Sequence, residues 1–371
     1  MGNERTSTTG TTPVHRRDHA LDFIKVVAIL LIVFHHYQQD SGAYFDWGIN
    51  FYHGNFYFGY VVELFFILSG MFMLPYIKRI GDGLTLKRFY LKRALRLLPL
   101  VAIAACAYEF MVLIYWHTFH ERLFGKTFDL WGIVIDSLGV QDGWVFANPG
   151  VNNPTWYVSV LLLCYLVFYL TTALAHRLKV SPYYLYGAVV LWGIAINTYE
   201  LNLPFMTYTS GRGYCAFFTG VLLAAAFKAR PNLPKPLVGI CAVILVAFPA
   251  LIHFHPDIEN LRYLLVFIFY PSLIVIARVP QVNRLFEFKW IETLSKVSFD
   301  VYIWHVVCLQ AVLYVTRLLS INPHFSSHLT MLAFAALTFA SAPYRSIASN
   351  SPSRRPSKRR RTCSTRCRTN R

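Results

Sequence analysis

The chain has 371 residues, of which 56% are hydrophobic, 16% aromatic and only 14% charged. That excludes an ordinary soluble globular enzyme and points to a polytopic membrane protein. The formal net charge of +17 is no sign of nucleic-acid binding, because residues 341 to 371 carry ten basic side chains and no acid and leave +7 for the rest.

Residues 1 to 15 are polar and Thr-rich, the composition of a disordered segment. Met1, Gly2 and Thr6 fit the loose myristoylation pattern, but a lipid anchor is redundant in a multi-pass chain. Apolar runs then recur at 20–38, 56–77, 96–117, 154–174, 183–199, 212–228, 236–253, 262–278, 297–319 and 328–342. Each is near the roughly 20 residues a helix needs to cross a bilayer, although the last is short. Lipid offers unpaired backbone no partner, so the predicted fold class is all-α, a membrane helix bundle of about ten spans over residues 16–342. One alternating set of connections holds 19 Lys and Arg and the other holds five, which predicts that both termini are cytoplasmic. Nothing resembling a cleavage site follows the first run, so it reads as an anchor rather than a signal peptide. Five of the seven cysteines fall within spans and Cys363 and Cys367 in the tail, a pattern that predicts neither disulfides nor a metal site.

The first helix, DFIKVVAILLIVFHH, concentrates the chemistry. Lys25 and His36 lie three turns apart and about 20° out of phase, with Asp22 within about 60° of that stripe and His35 about 80° away. A charge and an imidazole on one stripe of a membrane helix are costly, and mark a pathway or reaction site by default. The alternative is a snorkelling lysine and a histidine bonded to a neighbouring helix. The second helix carries Glu63 at the depth of His36, where a carboxylate orients and polarises an imidazole or simply bonds between helices.

The stretch TLKRFYLKRALRLLPL holds the densest basic cluster of the membrane domain. Arg93 and Arg96, three residues apart, share a helix face suited to phosphate oxygens; a topology signal touching anionic headgroups is the other reading. The connection from 118 to 153 is long enough to be functional, and its QDGWVFANPGVNNPTW segment carries aromatic and amide groups of the kind sugars bind. The ninth helix, in KVSFDVYIWHVV, places His305 about three turns in from the cytoplasmic face, with Asp300 near the helix start.

In order and spacing these pieces resemble the acyltransferase 3 family of integral-membrane O-acyltransferases. Lys25 and His36 stand where that family has a basic residue and, eleven residues on, its essential histidine. VELFFILSGMFM with Glu63, RALRLLP with Arg93 and Arg96, NPTWYVSVLLLCY with Trp156 and Ser159, and SFDVYIWH with His305 resemble its further motifs. Two departures are Lys25, a lesser phosphate fork than arginine, and Leu161, where many relatives carry glutamate. The resemblance implies transfer of an acetyl group from acetyl-CoA to a hydroxyl of a surface or exported carbohydrate. His36 would be general base or transient acetyl carrier and Glu63 would set its tautomer, with Lys25, Arg93 and Arg96 on the phosphates and Asp22, His35, Trp156, Ser159 and His305 as further candidates. Membrane lipid and a carbohydrate acceptor are the implied partners, with neither metal nor nucleic acid. A carrier or flippase of similar helix count is the alternative from another class, but it lacks support from internal duplication or matched broken helices. A non-catalytic scaffold leaves the aligned His36, Glu63 and Arg93 without a reason.

From about residue 343 the chain becomes rich in Arg, Ser, Pro and Thr. It reads as the product of a shifted reading frame or as a basic arm on the inner leaflet.

Overall fold

A computed structural model describes residues 17–145, 150–256 and 258–342; the segment 1–15 and the basic tail lie outside the described residues. Among the described residues the regular structure is helical, with a single isolated bridge between Leu203 and Met206.

Helix α1, His19–Ser41, has 23 residues, about 35 Å at 1.5 Å per residue and enough to cross a hydrocarbon core of about 30 Å. It ends on Gly42, whose φ of 67° is the left-handed cap that glycine adopts without strain. The second apolar run is not one rod. After a short turn at Phe58–Val61, α2 (Val62–Met71) and α3 (Leu74–Gly81) meet at 41°. Pro75, in the first turn of α3, lacks the amide needed to continue the ladder from α2. Helix α4, Leu86–Phe119, starts about ten residues earlier than its apolar run, so the basic cluster forms its first turns. Its 34 residues span about 51 Å, longer than the hydrocarbon core.

In the long connection that follows, Asp129 caps α5, Leu130–Leu138, by accepting the Gly132 amide at 2.9 Å. Then come α6 (Trp156–Leu178), α7 (Pro182–Thr198), α8 (Tyr208–Ala229), with a capping box of Thr207 and Ser210, and α9 (Lys235–Phe254). The next run is broken into α10 (Leu261–Leu264), a π turn over Leu265–Phe269 and α11 (Tyr270–Ala277). The short α12 (Pro280–Leu285), the 30-residue α13 (Lys289–Leu318) and α14 (His328–Ser341) complete the bundle.

Helix covers each of the ten apolar runs, but length and hydropathy suit only α1, α4, α6, α9 and α13 to crossing a membrane, or six spans if the bent α2–α3 pair is one. By these criteria the other four expected spans fall short: α7 and α14 are short, the 261–277 run is interrupted, and α8 opens on polar residues.

The core lies where α1, α2, α4, α6, α8 and α13 converge, and α9 buries only Cys241 and Phe248. Two glycines fix the central crossing. A Cβ on Gly70 of α2 would land on the Phe217 carbonyl of α8, and one on Gly220 of α8 would land on the Ile67 carbonyl of α2. This is the small-residue contact that lets membrane helices touch backbone to backbone.

Candidate active site

The site occupies three levels along α1. At the basic end, where α1 begins, Asp22 accepts hydrogen bonds from Arg17 Nε at 2.6 Å, Lys25 Nζ at 3.2 Å and Ser295 Oγ at 2.7 Å. Arg17 and Lys296 also pair with Glu292, at 2.6 and 2.7 Å, so the first turns of α1 and α13 are tied by alternating charge. Lys25 Nζ lies 5.6 Å from the centre of the Phe72 ring, at the α2–α3 break, and Met73 beside it places Sδ 3.3 Å from Arg93 Nη2. The proline-made corner thus brings Lys25 and Arg93 to neighbouring residues.

Arg93 does not present its fork to the surface as its spacing from Arg96 suggested. It is buried, donates from Nη1 to the Phe89 carbonyl at 2.8 Å, and sits among the rings of Phe89, Tyr76 and Tyr165 at 3.6, 4.3 and 4.9 Å. Arg96 is exposed. Three residues turn a helix by about 300°, which leaves the pair about 60° apart, enough to bury one and expose the other.

The middle level holds the histidines. The rings of His36 and His305 are 5.0 Å apart, both buried, His36 on α1 and His305 on α13. His305 Nδ1 lies 2.8 Å from the Tyr302 carbonyl, which can only accept, so Nδ1 carries the hydrogen and neutral His305 has a lone pair on Nε2. That Nε2 and His36 Nδ1 are both buried without a hydrogen-bond partner. Helix α13 is held at this height by Tyr302, whose hydroxyl donates to the Pro154 carbonyl at 2.7 Å, and by Asn152, whose amide donates to the Ile303 carbonyl at 3.0 Å. The His35 ring centre is also 5.2 Å from that of His36, but its Nδ1 is engaged, donating to the Phe51 carbonyl at 2.8 Å, and its ring packs against Tyr52 and Tyr57, which pins the 42–57 connection on α1.

Glu63 does not orient His36. Both its oxygens are taken by Arg212 of α8, Nε to Oε1 at 2.7 Å and Nη2 to Oε2 at 3.0 Å, and Arg212 Nη2 also donates to the Gly59 carbonyl at 3.0 Å. The carboxylate is fully buried, so a bidentate guanidinium answers its charge better than a neutral imidazole would. The sequence signal for Arg212 is a lone arginine between two glycines at the start of an apolar run, SGRGYCAFF.

At the far end a cavity of about 550 Å³ opens between α1, α6, α8 and the 118–153 connection. Trp156 and Arg212 line it, with the guanidinium carbon 4.7 Å from the Trp156 ring centre. Asp40, also in the lining, follows His36 by four residues, which places it one turn away and only about 40° around the helix. Val306, beside His305, lines the cavity as well. Ser159 faces no open space. It donates to the Asp142 carbonyl at 2.7 Å, accepts the Asp142 amide at 3.1 Å, and so fastens the connection to α6.

Within that connection Asp136 accepts the Asn152 amide at 3.1 Å and the Thr155 hydroxyl at 3.2 Å, and burial pushes its carboxyl up to about 7. Among the described residues no cluster of His, Cys, Asp or Glu has the geometry to hold a metal ion.

The arrangement is a pair of buried bases between a cationic end and a polar cavity, a layout suited to moving a proton or a group at one point inside the bundle. No curated protein and no solved structure matches the chain. An acyltransferase-domain family matches residues 18–344, from the first turn of α1 past the end of α14, and the chain therefore belongs to the acyltransferase 3 family of membrane acyltransferases.

Proposed function

We propose that the protein transfers an acetyl group from cytoplasmic acetyl-CoA to a hydroxyl of a cell-surface or exported glycan, with His36 as general base. The observation that carries this reading is the His36–His305 pair, two buried imidazoles 5.0 Å apart with unpartnered ring nitrogens. Buried polar nitrogens are seldom left unbonded, and a catalytic role is one of the reasons they are. Lys and Arg gather at the basic end, which supports a cytoplasmic position for that end, where the donor is made.

The donor supplies a thioester and a polyanionic head. Lys25 and Arg96 meet the phosphates, and Arg93, locked among aromatic rings, holds the α2–α3 corner that sets their wall. The acceptor oxygen bonds to the acyl carbon as its proton passes to His36, the carbon–sulfur bond breaks, and the proton returns to the departing thiolate. His305, its Nδ1 hydrogen held by Tyr302, presents its Nε2 lone pair beside His36 and keeps the acceptor hydroxyl aligned.

Membranes bearing the protein, given acetyl-CoA labelled in the acetyl group, should yield alkali-labile label on carbohydrate. His36→Ala should lower that transfer by at least about 10²-fold while leaving the protein inserted. Full transfer by the variant would end the assignment, and label crossing the membrane without becoming covalently attached would indicate a carrier.

A further inference from the structure

We propose that the cavity at the far end is the acceptor site and that it takes a neutral, hydroxyl-rich ligand. The inference rests on the acyltransferase reading and adds to it where the acceptor sits and what its charge must be.

Position is the first argument. The lining includes Asp40, one turn beyond His36 on nearly the same face of α1, and Val306, next to His305 in sequence, so the cavity begins about one turn beyond the histidine pair, on the side away from the basic cluster. Its volume of about 550 Å³ is that of a site for a small organic molecule or a few sugar rings.

Charge is the second. Arg212 is a cation of the lining, but the Glu63 carboxylate answers its charge, and three of its five N–H donors go to Glu63 and the Gly59 carbonyl, which leaves only Nη1 for a ligand. Beyond that pair the lining holds two carboxyl groups, Asp40 and Asp142, and a single lysine, Lys126, so acceptors outnumber cations. A polyanion such as the donor is disfavoured here, whereas carboxylates accept readily from sugar hydroxyls. Asp142 is fixed at the cavity wall, since its Oδ1 accepts the Thr209 hydroxyl and the Gly143 amide, each at 2.7 Å.

The third is the half-buried Trp156, which the Arg212 guanidinium and the first turn of α6 hold in place as a flat apolar surface beside the polar groups of a mixed lining. Flat apolar surface among hydrogen-bonding groups is what a sugar ring, with its apolar face and polar rim, requires.

The test uses the full chain with Cys106, Cys363 and Cys367 replaced by serine, in sealed membranes carrying their own acceptor. Thr209→Cys is treated with a charged, membrane-impermeant methanethiosulfonate, and Trp156 is changed separately to Phe and to Leu. Blocking the T209C thiol should cut transfer on the order of tenfold or more without raising the KM for acetyl-CoA. Trp156→Leu should do the same, and Trp156→Phe should restore most of the loss. The assignment is overturned if the thiol is modified and transfer continues, if the reagent reaches it from neither side, if Leu and Phe behave alike, or if the donor KM is what changes. An unimpaired His36→Ala would refute the acyltransferase reading itself, whatever the cavity variants show.

Discussion

Glu63 and Arg212, 149 residues apart in the chain, form a bidentate pair at 2.7 and 3.0 Å in which the carboxylate has no exposure at all. The pair ties α2 to α8, and its arginine lines the far cavity. Breaking it by Glu63→Gln or Arg212→Met leaves an uncompensated buried charge, at a cost of about 3–5 kcal/mol. The double change Glu63→Leu with Arg212→Met should cost much less. Thermal unfolding of the detergent-purified protein compares the three; a double variant as unstable as the sum of the singles would show that the charges are not coupled.

The crossing itself depends on glycine. Gly220→Leu puts a side chain where the Ile67 carbonyl stands, so α2 and α8 must separate, with an overpacking cost of at least about 1–3 kcal/mol. The expected result is less monodisperse protein on size exclusion and loss of transfer, while Gly187→Leu, at an open position on α7, should behave like the parent. Equal yield and activity from both variants would contradict the close contact.

Arg93 and Arg96 should separate in their effects. Arg96→Ala removes an exposed cation at the basic end and should raise the KM for acetyl-CoA with little change in melting temperature. Arg93→Lys keeps the charge but loses the planar group that stacks on Phe89, Tyr76 and Tyr165, and should lower stability by about 1–2 kcal/mol. The same KM and melting shifts in both variants would mean that the two arginines act as one site.

His305→Ala should lower kcat about 10²-fold and leave the KM for acetyl-CoA near that of the parent, because His305 lies at the histidine level and away from Lys25 and Arg96. A change in donor KM alone would place the histidine in binding rather than in proton handling.

Asp136 supplies a pH dependence. Burial is the main cause of its raised value of about 7, opposed by the hydrogen bonds from Asn152 and Thr155, so the folded protein holds a proton that the unfolded chain releases in the ordinary carboxylate range. Its contribution to stability is therefore complete at acid pH and is lost as pH rises through about 7. Asp136→Asn should abolish that slope, and its melting temperature should gain on the parent between about pH 4 and pH 7, with no further gain above it. A constant difference across that range would rule out the buried proton.

Much of the site could be read along one helix. A period of 3.6 residues sets the phase of Asp22, Lys25, His35 and His36, and the structure keeps Asp22 beside Lys25 and turns His35 to a different partner from His36. Agreement stopped where two helices had to be placed against each other. Depth along the membrane suggested Glu63 as the partner of His36, but depth leaves the azimuth of each helix open, and the Gly70–Gly220 contact turns Glu63 toward α8.

The sequence by itself determined that this is a helical membrane protein of the acyltransferase 3 family, with its bases on the first and ninth apolar runs and its cations at one end. Those properties follow from local periodicity, composition and motif order, which a chain expresses residue by residue. Only the tertiary structure decided that His36 meets His305, that Arg212 and not an imidazole answers Glu63, that Arg93 is enclosed while Arg96 is open, and that Asp40, Asp142 and Trp156 share a cavity. Each of these depends on how far a helix is rotated about its axis when close contacts such as those at Gly70 and Gly220 lock it, and that angle is a property of packed pairs.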